Sequence, residues 1–458
     1  MKHFKKTIAI LFGINLWIIT LLTVLQITAF DTAFYHEQYL KLDTANYIAV
    51  SEADLMKATE VLLDYTSGKR DNLDITVQID SVMSPYFNQK EIDHMVDVRN
   101  LYLGFINLRN GLVVFNLLLF AFLWFKAKED IVHLLYSGFK YASLGVGLAV
   151  IGILAYAIID FEHFWTTFHH LLFTNELWLL DPNTDNLIKM VPEEFFISLI
   201  FTIITRFLFI LGVIYTTLHA LKFKGLSSRA LKLIAVITML VDHLGHYLFP
   251  DMNELRIIGR IAYPIFTYMF ALSYIYTHSK KDLLIRVAIT AVVTQVLLYF
   301  SGTRDFVNIF FLFTLAWVTF KAIDKNYYWF IILTAITAEY FQIDYGMYGI
   351  LTLSAFYIFR DKKWIQMSLF ALLTLYASFY FLLDPKYSQY IKVLIDQPWY
   401  SLTHYFIQFF AIFTIIPLLL YNNRRAEKVY PKWVNDTEKY FYYAFYPVHL
   451  VILGLIRG

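Results

Sequence analysis

Long apolar runs separated by short polar stretches dominate the pattern along this chain. Runs near 7–30, 106–125, 141–159 and 195–218 are each long enough for a membrane helix, which needs ~20 apolar residues. Nine shorter runs follow between residues 231 and 457. The pattern therefore predicts an all-α polytopic membrane protein with about thirteen transmembrane helices.

The polar segment 31–105 is predicted to be a small mixed α/β insertion outside the membrane. Ser51 and Asp54 have the spacing of a capping box, before an apolar-periodic helix that ends at Gly68. Residues 74–79 alternate like a strand. A helix capped by Asn88 is expected to continue from the insertion into the second span.

The basic stretch 221–230 contains the Gly and Ser residues that separate two apolar blocks. It predicts a cytoplasmic linker between a first domain, 1–220, with four spans and a second, 231–458, with about nine. Lysine and arginine alternate between richer and poorer loops, which predicts an inside N-terminus and an outside C-terminus in a bacterial cytoplasmic membrane. The first apolar run is too long for a signal peptide and is expected to be a retained span.

Composition and charge exclude several other classes of protein. Hydrophobic residues make up 59% of the chain and charged residues 16%, whereas soluble domains have about 25% charged residues. The net charge of +2 gives no basic footprint for nucleic acid. With no cysteine, the chain can form neither disulfides nor thiolate sites.

Histidines interrupt the aromatic-rich polar segments next to the second and third spans. His94 precedes the second span, and His163 and His169 follow the third among many aromatic residues. A neutral imidazole accepts a proton near neutral pH, and aromatic neighbours suit a substrate with acyl chains. The alternative is a set of interfacial histidines in an aromatic belt. The spacing does not match a zinc site, so no metal is expected.

Several motifs in residues 1–220 resemble those of one family. They include Asn88-Gln-Lys-Glu-Ile-Asp-His-Met-Val-Asp-Val98, Phe164-Trp-Thr-Thr-Phe-His169, Thr174-Asn-Glu-Leu-Trp-Leu-Leu-Asp-Pro182 and Met190-Val-Pro-Glu193. This half is similar to the lipoprotein intramolecular transacylases, called Lit. The resemblance implies transfer of an O-acyl chain of a diacylglyceryl-cysteine lipoprotein to its α-amino group, without a cofactor.

The same resemblance assigns roles to individual residues. It implies that His94 and His169 form the catalytic pair and that the partners are the bilayer and lipidated lipoprotein N-termini. Asp97 lies three residues after His94 and could orient it on a helix, or simply be a solvated residue. His163 is a supporting candidate.

Titratable side chains inside the fifth apolar run are energetically unfavourable in lipid, so they should face protein or water. Asp242 and His246 are four residues apart and share a helix face, whereas Asp242 and His243 do not face each other. If Asp242 orients a ring, the ring is therefore expected to be His246, which leaves His243 free to act on substrate. Arg256 and Arg260, four apart, could clamp phosphates or reach the interface by snorkelling.

Motifs across residues 231–458 resemble a second family. They include Asp242-His243, Ile258-Gly-Arg-Ile-Ala-Tyr-Pro-Ile-Phe266, Asp344-Tyr-Gly-Met-Tyr-Gly349 and Tyr442-Tyr-Ala-Phe-Tyr-Pro-Val-His449. This half is similar to the TraX membrane acyltransferases, typified by N-acetylation of pilin. The resemblance implies an acyl-CoA donor such as acetyl-CoA and makes His243, with Asp242, the catalytic candidate. Asp344 and His449 are supporting candidates or polar helix contacts.

One difference from the TraX pattern concerns the helix after Phe266. Leu272 and Ser273 stand where the family usually has Glu-Gly, and His278 stands at an expected Arg. Loss of an intramembrane carboxylate leaves the acceptor and the activity of this half open.

The combined hypothesis is a membrane acyltransferase whose two halves act in sequence on lipoprotein N-termini at the outer face. Two alternatives remain open at the sequence level. The chain could be a non-enzymatic receptor or transporter with a ligand-binding ectodomain, or the second half could carry the main activity with the first as a docking module.

Overall fold

The structure is a computed structural model, and its mostly helical chain divides into two compact units. The units are Met1–Lys222 and Phe223–Gly458. The residues that the structure describes are 2–127, 129–250, 252–300, 307–383, 389–396, 402–403, 405–426 and 431–457.

The first unit combines membrane-length helices with a small globular insertion. In chain order its elements are α1 (Lys2–Ala29), α2 (Thr32–Leu42), α3 (Thr44–Ile48), α4 (Glu52–Thr66), β1 (Thr76–Ile79), β2 (Val82–Pro85), α5 (Gln89–Lys126), α6 (Ile131–Ile159), α7 (Phe161–Leu172), α8 (Asn186–Met190) and α9 (Glu193–Phe223). Helices α1, α5, α6 and α9 are each long and apolar enough to cross a membrane, in line with the four runs predicted for this half.

The insertion between α1 and α5 has the elements that its sequence predicts. Ser51 caps α4 by accepting a hydrogen bond from the Asp54 backbone N–H (3.0 Å), and Gly68 follows that helix with a φ of +79°. Strands β1 and β2 pair antiparallel, so the strand predicted over 74–79 is confirmed over its C-terminal four residues. These local signals need no tertiary information, which is why the sequence reveals them.

An aromatic core joins the insertion to the start of α9. Phe195 is fully buried, and its ring lies 5.5 Å from that of Phe34, 5.0 Å from Tyr35 and 6.1 Å from Tyr39. Aromatic side chains of this size dominate the free energy of core burial. The insertion is therefore a packed small domain, continuous with one membrane helix.

The second unit contains shorter helices. They are α10 (Ser228–Tyr247), α11 (Asn253–Gly259), α12 (Ala262–Tyr276), α13 (Lys280–Phe300), α14 (Ile309–Ile323), α15 (Phe330–Tyr340), α16 (Gly346–Ile358), α17 (Lys363–Phe379), α18 (Gln389–Asp396), α19 (Ile415–Leu419) and α20 (Lys432–Arg457), with 3-10 helices at Tyr380–Leu383 and Ile407–Thr414.

The membrane-length segments of this unit are α10, α11 with α12, α13 and α20. With the first unit this makes 8 candidate spans among the described residues. Four further apolar helices have 10–17 residues. At ~1.5 Å per residue they rise less than the ~30 Å of a bilayer core. The predicted count of thirteen spans is therefore not confirmed.

Candidate functional sites

A buried carboxylate at the start of α5 organises the candidate site of the first unit. Glu91 is completely buried, and it accepts hydrogen bonds from the backbone N–H groups of Asn88 (2.7 Å) and Leu187. The Asn88 side chain accepts in turn from the Glu91 backbone N–H (3.0 Å), which completes a capping box. The Glu91 side chain therefore caps the N-terminus of α5 and also holds the start of α8, which lies almost a hundred residues later in the chain.

Further polar contacts hold the segment 173–185 against the same end of α5. The Asn175 amide donates to Asp97 (2.8 Å) and the Asn88 amide donates to Asp185 (2.8 Å). Lys90 donates to the backbone carbonyl of Leu179. Asp97, a candidate for orienting His94, thus hydrogen-bonds Asn175 and helps to hold this segment in place.

His169 is buried in an aromatic cage near the end of α7. Its side chain is 8% exposed, and its ring lies 4.4 Å from that of Trp165 and stacks at 4.6 Å on Trp178. Its Nδ1 lies 2.8 Å from the Trp165 carbonyl oxygen. A carbonyl oxygen can only accept, so Nδ1 carries the proton and Nε2 of the neutral ring carries a lone pair.

The surroundings of His169 also favour its neutral form. Burial lowers the pKa of His169, and nearby His170 lowers it further, whereas the hydrogen bond to the Trp165 carbonyl raises it in part. The net shift is downward, so Nε2 is available as a proton acceptor at neutral pH.

His94 shares an aromatic neighbour with His169. The Phe173 ring lies 5.5 Å from the His94 ring and 5.9 Å from the His169 ring, and the two imidazoles interact electrostatically. His94 is 9% exposed, and its Nδ1 is buried with no hydrogen-bond partner among the described residues. The indole N–H of Trp178 is likewise buried with no hydrogen-bond partner among the described residues. The structure therefore brings together the pair His94 and His169, with two unused polar atoms close by.

His163 lies apart from this arrangement. It is on the first turn of α7, exposed, with its ring 6.0 Å from that of Tyr156. The sequence motifs contain Glu91, Asn175 and Trp178 but indicate no role for them. The spacing of Asn88 and Glu91 is itself a capping-box signal that could have identified Glu91.

In the second unit, the two arginines that could clamp phosphate or snorkel to the interface both pair with Asp242. Arg260 donates to the Asp242 carboxylate, and Arg256 lies 3.7 Å from the same oxygen. Gly259 allows this approach, since a Cβ there would lie 2.1 Å from Asp242 Cβ. His246 is exposed. Asp242 therefore pairs with arginine, not with the His246 ring favoured from helix geometry.

His243 contacts a residue that is distant in sequence. Its Nδ1 lies 2.6 Å from Nε2 of His449, and the two rings stack at 4.9 Å. Asp344 lies in the turn before α16, within electrostatic range of Arg260. Of the candidates in this half, the structure thus groups Asp242 with the two arginines and His243 with His449.

The hydrogen bond between Asn175 and Asp97, which joins the segment after α7 to α5, gives a testable prediction. Asp97→Leu and Asn175→Leu remove the same hydrogen bond, so each is expected to speed hydrogen–deuterium exchange of residues 173–185. A double variant should then be little worse than either single variant, with a coupling of about 0.5–3 kcal/mol. Additive effects would show that Asp97 acts elsewhere. Exposed Asp71, changed to Leu, is the matched control.

Comparison with protein-family models gives a match for each unit. Residues 10–196 match the model described as lipoprotein intramolecular transacylase Lit. Residues 227–457, half of the chain, match the model described as TraX protein. The two matches follow each other along the chain in the order that the sequence motifs predict.

Similar proteins include both solved structures and a curated sequence. The structure of the membrane integral lipoprotein intramolecular transacylase Lit from Bacillus cereus is 20% identical with a TM-score of 0.39, over 48% of this chain and 99% of that one. A histidine variant of it is 18% identical, with the same TM-score, over 48% of this chain and 93% of the variant.

An uncharacterized protein of Rickettsia prowazekii is 37% identical over 81 residues, which are 18% of this chain. The chain spans about a third (32%) of the length of that curated relative. Because its match to the family model extends over half of its length, the chain belongs to the TraX family, with a region that matches the Lit transacylases ahead of the TraX region.

Proposed function

We propose that the first unit moves an acyl chain within a diacylglyceryl-cysteine lipoprotein, from a glyceryl ester to the α-amino group. The observation that carries the proposal is the pair of buried histidines whose rings lie 5.5 Å and 5.9 Å from the ring of Phe173. The match to the Lit model supports it. The products are an amide at the N-terminal cysteine and a free glyceryl hydroxyl.

The chemistry requires a proton acceptor and a proton donor in the same site. The α-ammonium must lose one proton to solvent before its nitrogen attacks the ester carbonyl, and that nitrogen loses a second proton as the new bond forms. We assign acceptance of the second proton to Nε2 of His169. A carbon–nitrogen bond then forms as the carbon–oxygen bond breaks, and the proton held by His169 passes to the leaving alkoxide. We assign contact with that leaving oxygen to His94, whose Nδ1 has no protein partner among the described residues.

The indole N–H of Trp178 suits the remaining polar group of the reaction. An indole nitrogen is a donor only, so its partner must be an acceptor such as a carbonyl oxygen. Trp178 stacks on His169 and its N–H is buried without a partner among the described residues. We assign it to the ester carbonyl oxygen, whose negative charge increases in the tetrahedral intermediate.

The second unit is proposed to transfer an acyl group from an acyl-CoA, such as acetyl-CoA, to an acceptor, with His243 as the base. Its match to the TraX model supports this class of reaction. The two arginines share the Asp242 carboxylate, and Asp344 also lies within electrostatic range of Arg260. Because Arg260 is buried in the ion pair, Arg256 is the better candidate for a phosphate contact.

We further propose that both reactions take place at the outer face of a bacterial cytoplasmic membrane, with the N-terminus inside. The first reaction would free a glyceryl hydroxyl, which the second could acetylate. The two halves would then act in sequence on one lipoprotein.

Tandem mass spectrometry of lipoprotein N-terminal peptides tests the first proposal. Because an intramolecular transfer leaves the mass unchanged, fragmentation must locate the acyl chain on nitrogen or on glyceryl. Cells expressing the chain should give the N-acyl lyso form, and His94→Ala or His169→Ala should reduce it at least 10²-fold, a typical contribution of general acid–base catalysis. Unchanged yields would reject the pair and favour a receptor or transporter. A His243→Ala variant that lacks only an added acetyl group would support the sequential reaction.

The lowered pKa of His169 gives a prediction for titration. A depressed pKa keeps the imidazole neutral at pH 7 and moves its protonation to more acid conditions. In ¹⁵N NMR of the detergent-solubilised chain, the His169 ring signal, assigned by its loss in His169→Ala, should titrate below the usual pH of about 6.5. A midpoint at or above that value would contradict its role as a neutral base.

Trp178→Phe tests the proposed donor, because it keeps an aromatic ring against His169 and removes the indole N–H. Loss of one donor to a developing oxyanion typically costs about 10²–10³-fold in kcat, so a loss of this order with little change in KM is expected with purified enzyme and diacyl lipopeptide. Trp124→Phe, at a half-exposed position on α5, is the control. Equal kcat values for the two variants would remove Trp178 from the mechanism.

A further inference from the structure

Two hydrogen bonds in series connect His243 to a backbone carbonyl through His449. His243 Nδ1 lies 2.6 Å from His449 Nε2, and His449 Nδ1 lies 2.6 Å from the carbonyl oxygen of Phe445. Phe445 is four residues before His449 on α20, so the second bond lies within one turn of helix.

The carbonyl oxygen of Phe445 determines which ring nitrogens of His449 and His243 carry a proton. A carbonyl oxygen only accepts, so His449 Nδ1 carries a proton. In the neutral ring, Nε2 of His449 then has a lone pair and must accept from His243. His243 therefore carries its proton on Nδ1, and its own Nε2 is left with a lone pair.

Packing holds the two rings in this arrangement. His449 is 6% exposed, and its ring stacks at 4.9 Å on His243 and at 4.8 Å on Phe445. About four helical turns before His243, α10 and α20 are joined by an ion pair in which Arg229 donates to Glu438 (2.9 Å). The position of His449 relative to His243 is thus set at two places along the helices.

Asp242 is not in a position to orient the His243 ring. Neighbouring residues on a helix do not face each other, and its carboxylate pairs with Arg260 and Arg256. A carboxylate behind the imidazole would be the usual orienting group. Here a second, neutral imidazole takes that place.

We propose that His449 is a positioning residue that holds His243 in the tautomer with a free Nε2, ready to take the proton of an acceptor amine or hydroxyl. This inference rests on the acyl transfer proposed for the second unit. The acceptor nitrogen or oxygen bonds to the acyl carbon as the carbon–sulfur bond of the acyl thioester breaks. The proton passes from the acceptor to His243 Nε2 and then to the leaving thiolate, while Nδ1–H continues to donate to His449.

The tautomer can be measured without any activity. Ring-¹⁵N-labelled full-length chain in detergent gives separate signals for protonated and unprotonated nitrogens, and His243→Ala assigns those of His243. We expect Nδ1–H in the wild type, a shift toward Nε2–H in His449→Leu, and recovery of Nδ1–H in His449→Gln, whose amide oxygen can accept. A wild-type His243 with its proton on Nε2 would overturn the inference.

Turnover of radiolabelled acetyl-CoA by the same preparations gives the second readout. His449→Leu should lower kcat about 10²–10⁴-fold, the range expected when a general base is lost or held in the wrong tautomer, with KM little changed and partial rescue by His449→Gln. His133→Leu, the same change at an exposed histidine, is the control.

The two measurements separate this inference from the proposed function. Full activity of His449→Leu beside an inactive His243→Ala would overturn the positioning role. An inactive wild type whose His243 still carries Nδ1–H would reject the proposed acyl transfer from acetyl-CoA while leaving the tautomer assignment correct.

Discussion

The candidate site of the first unit depends on the buried carboxylate of Glu91. It is completely buried, and backbone N–H groups from two distant segments, at Asn88 and Leu187, donate to it. A buried carboxylate is tolerated only when such donors compensate for its lost hydration. Burial of Glu91 therefore requires that the segment between α7 and α9 return to the start of α5. That return brings the aromatic cage of His169 beside His94.

A common device fixes the proton positions in both units. His169 and His449 each donate Nδ1–H to the carbonyl oxygen four residues earlier on their own helix. In the first unit this leaves the lone pair of Nε2 on His169 itself. In the second unit the available lone pair is on Nε2 of His243, because His449 Nε2 accepts a hydrogen bond from His243 Nδ1–H. A local backbone bond thus selects the reactive nitrogen without any carboxylate.

The sequence predicts the features of this fold that depend on local physics. Short-range spacing predicts the helix caps at Ser51 and Asn88 and the strand over 76–79. Run length predicts the four long apolar helices of the first unit. Hydrogen bonds between residues far apart in sequence could not be predicted. Helix periodicity offered His246 as the partner of Asp242, whereas a glycine at 259 brings Arg260 close enough to take that place.

The proposed reaction of the first unit transfers the acyl chain within one lipoprotein molecule. An isotope crossover experiment with the purified chain tests it most directly. Two diacyl lipopeptides are mixed, one with a light peptide and light acyl chains, the other with both parts deuterated. The account predicts N-acyl lyso products in which peptide and acyl label always match. Products that combine a light peptide with a heavy N-acyl chain would contradict it.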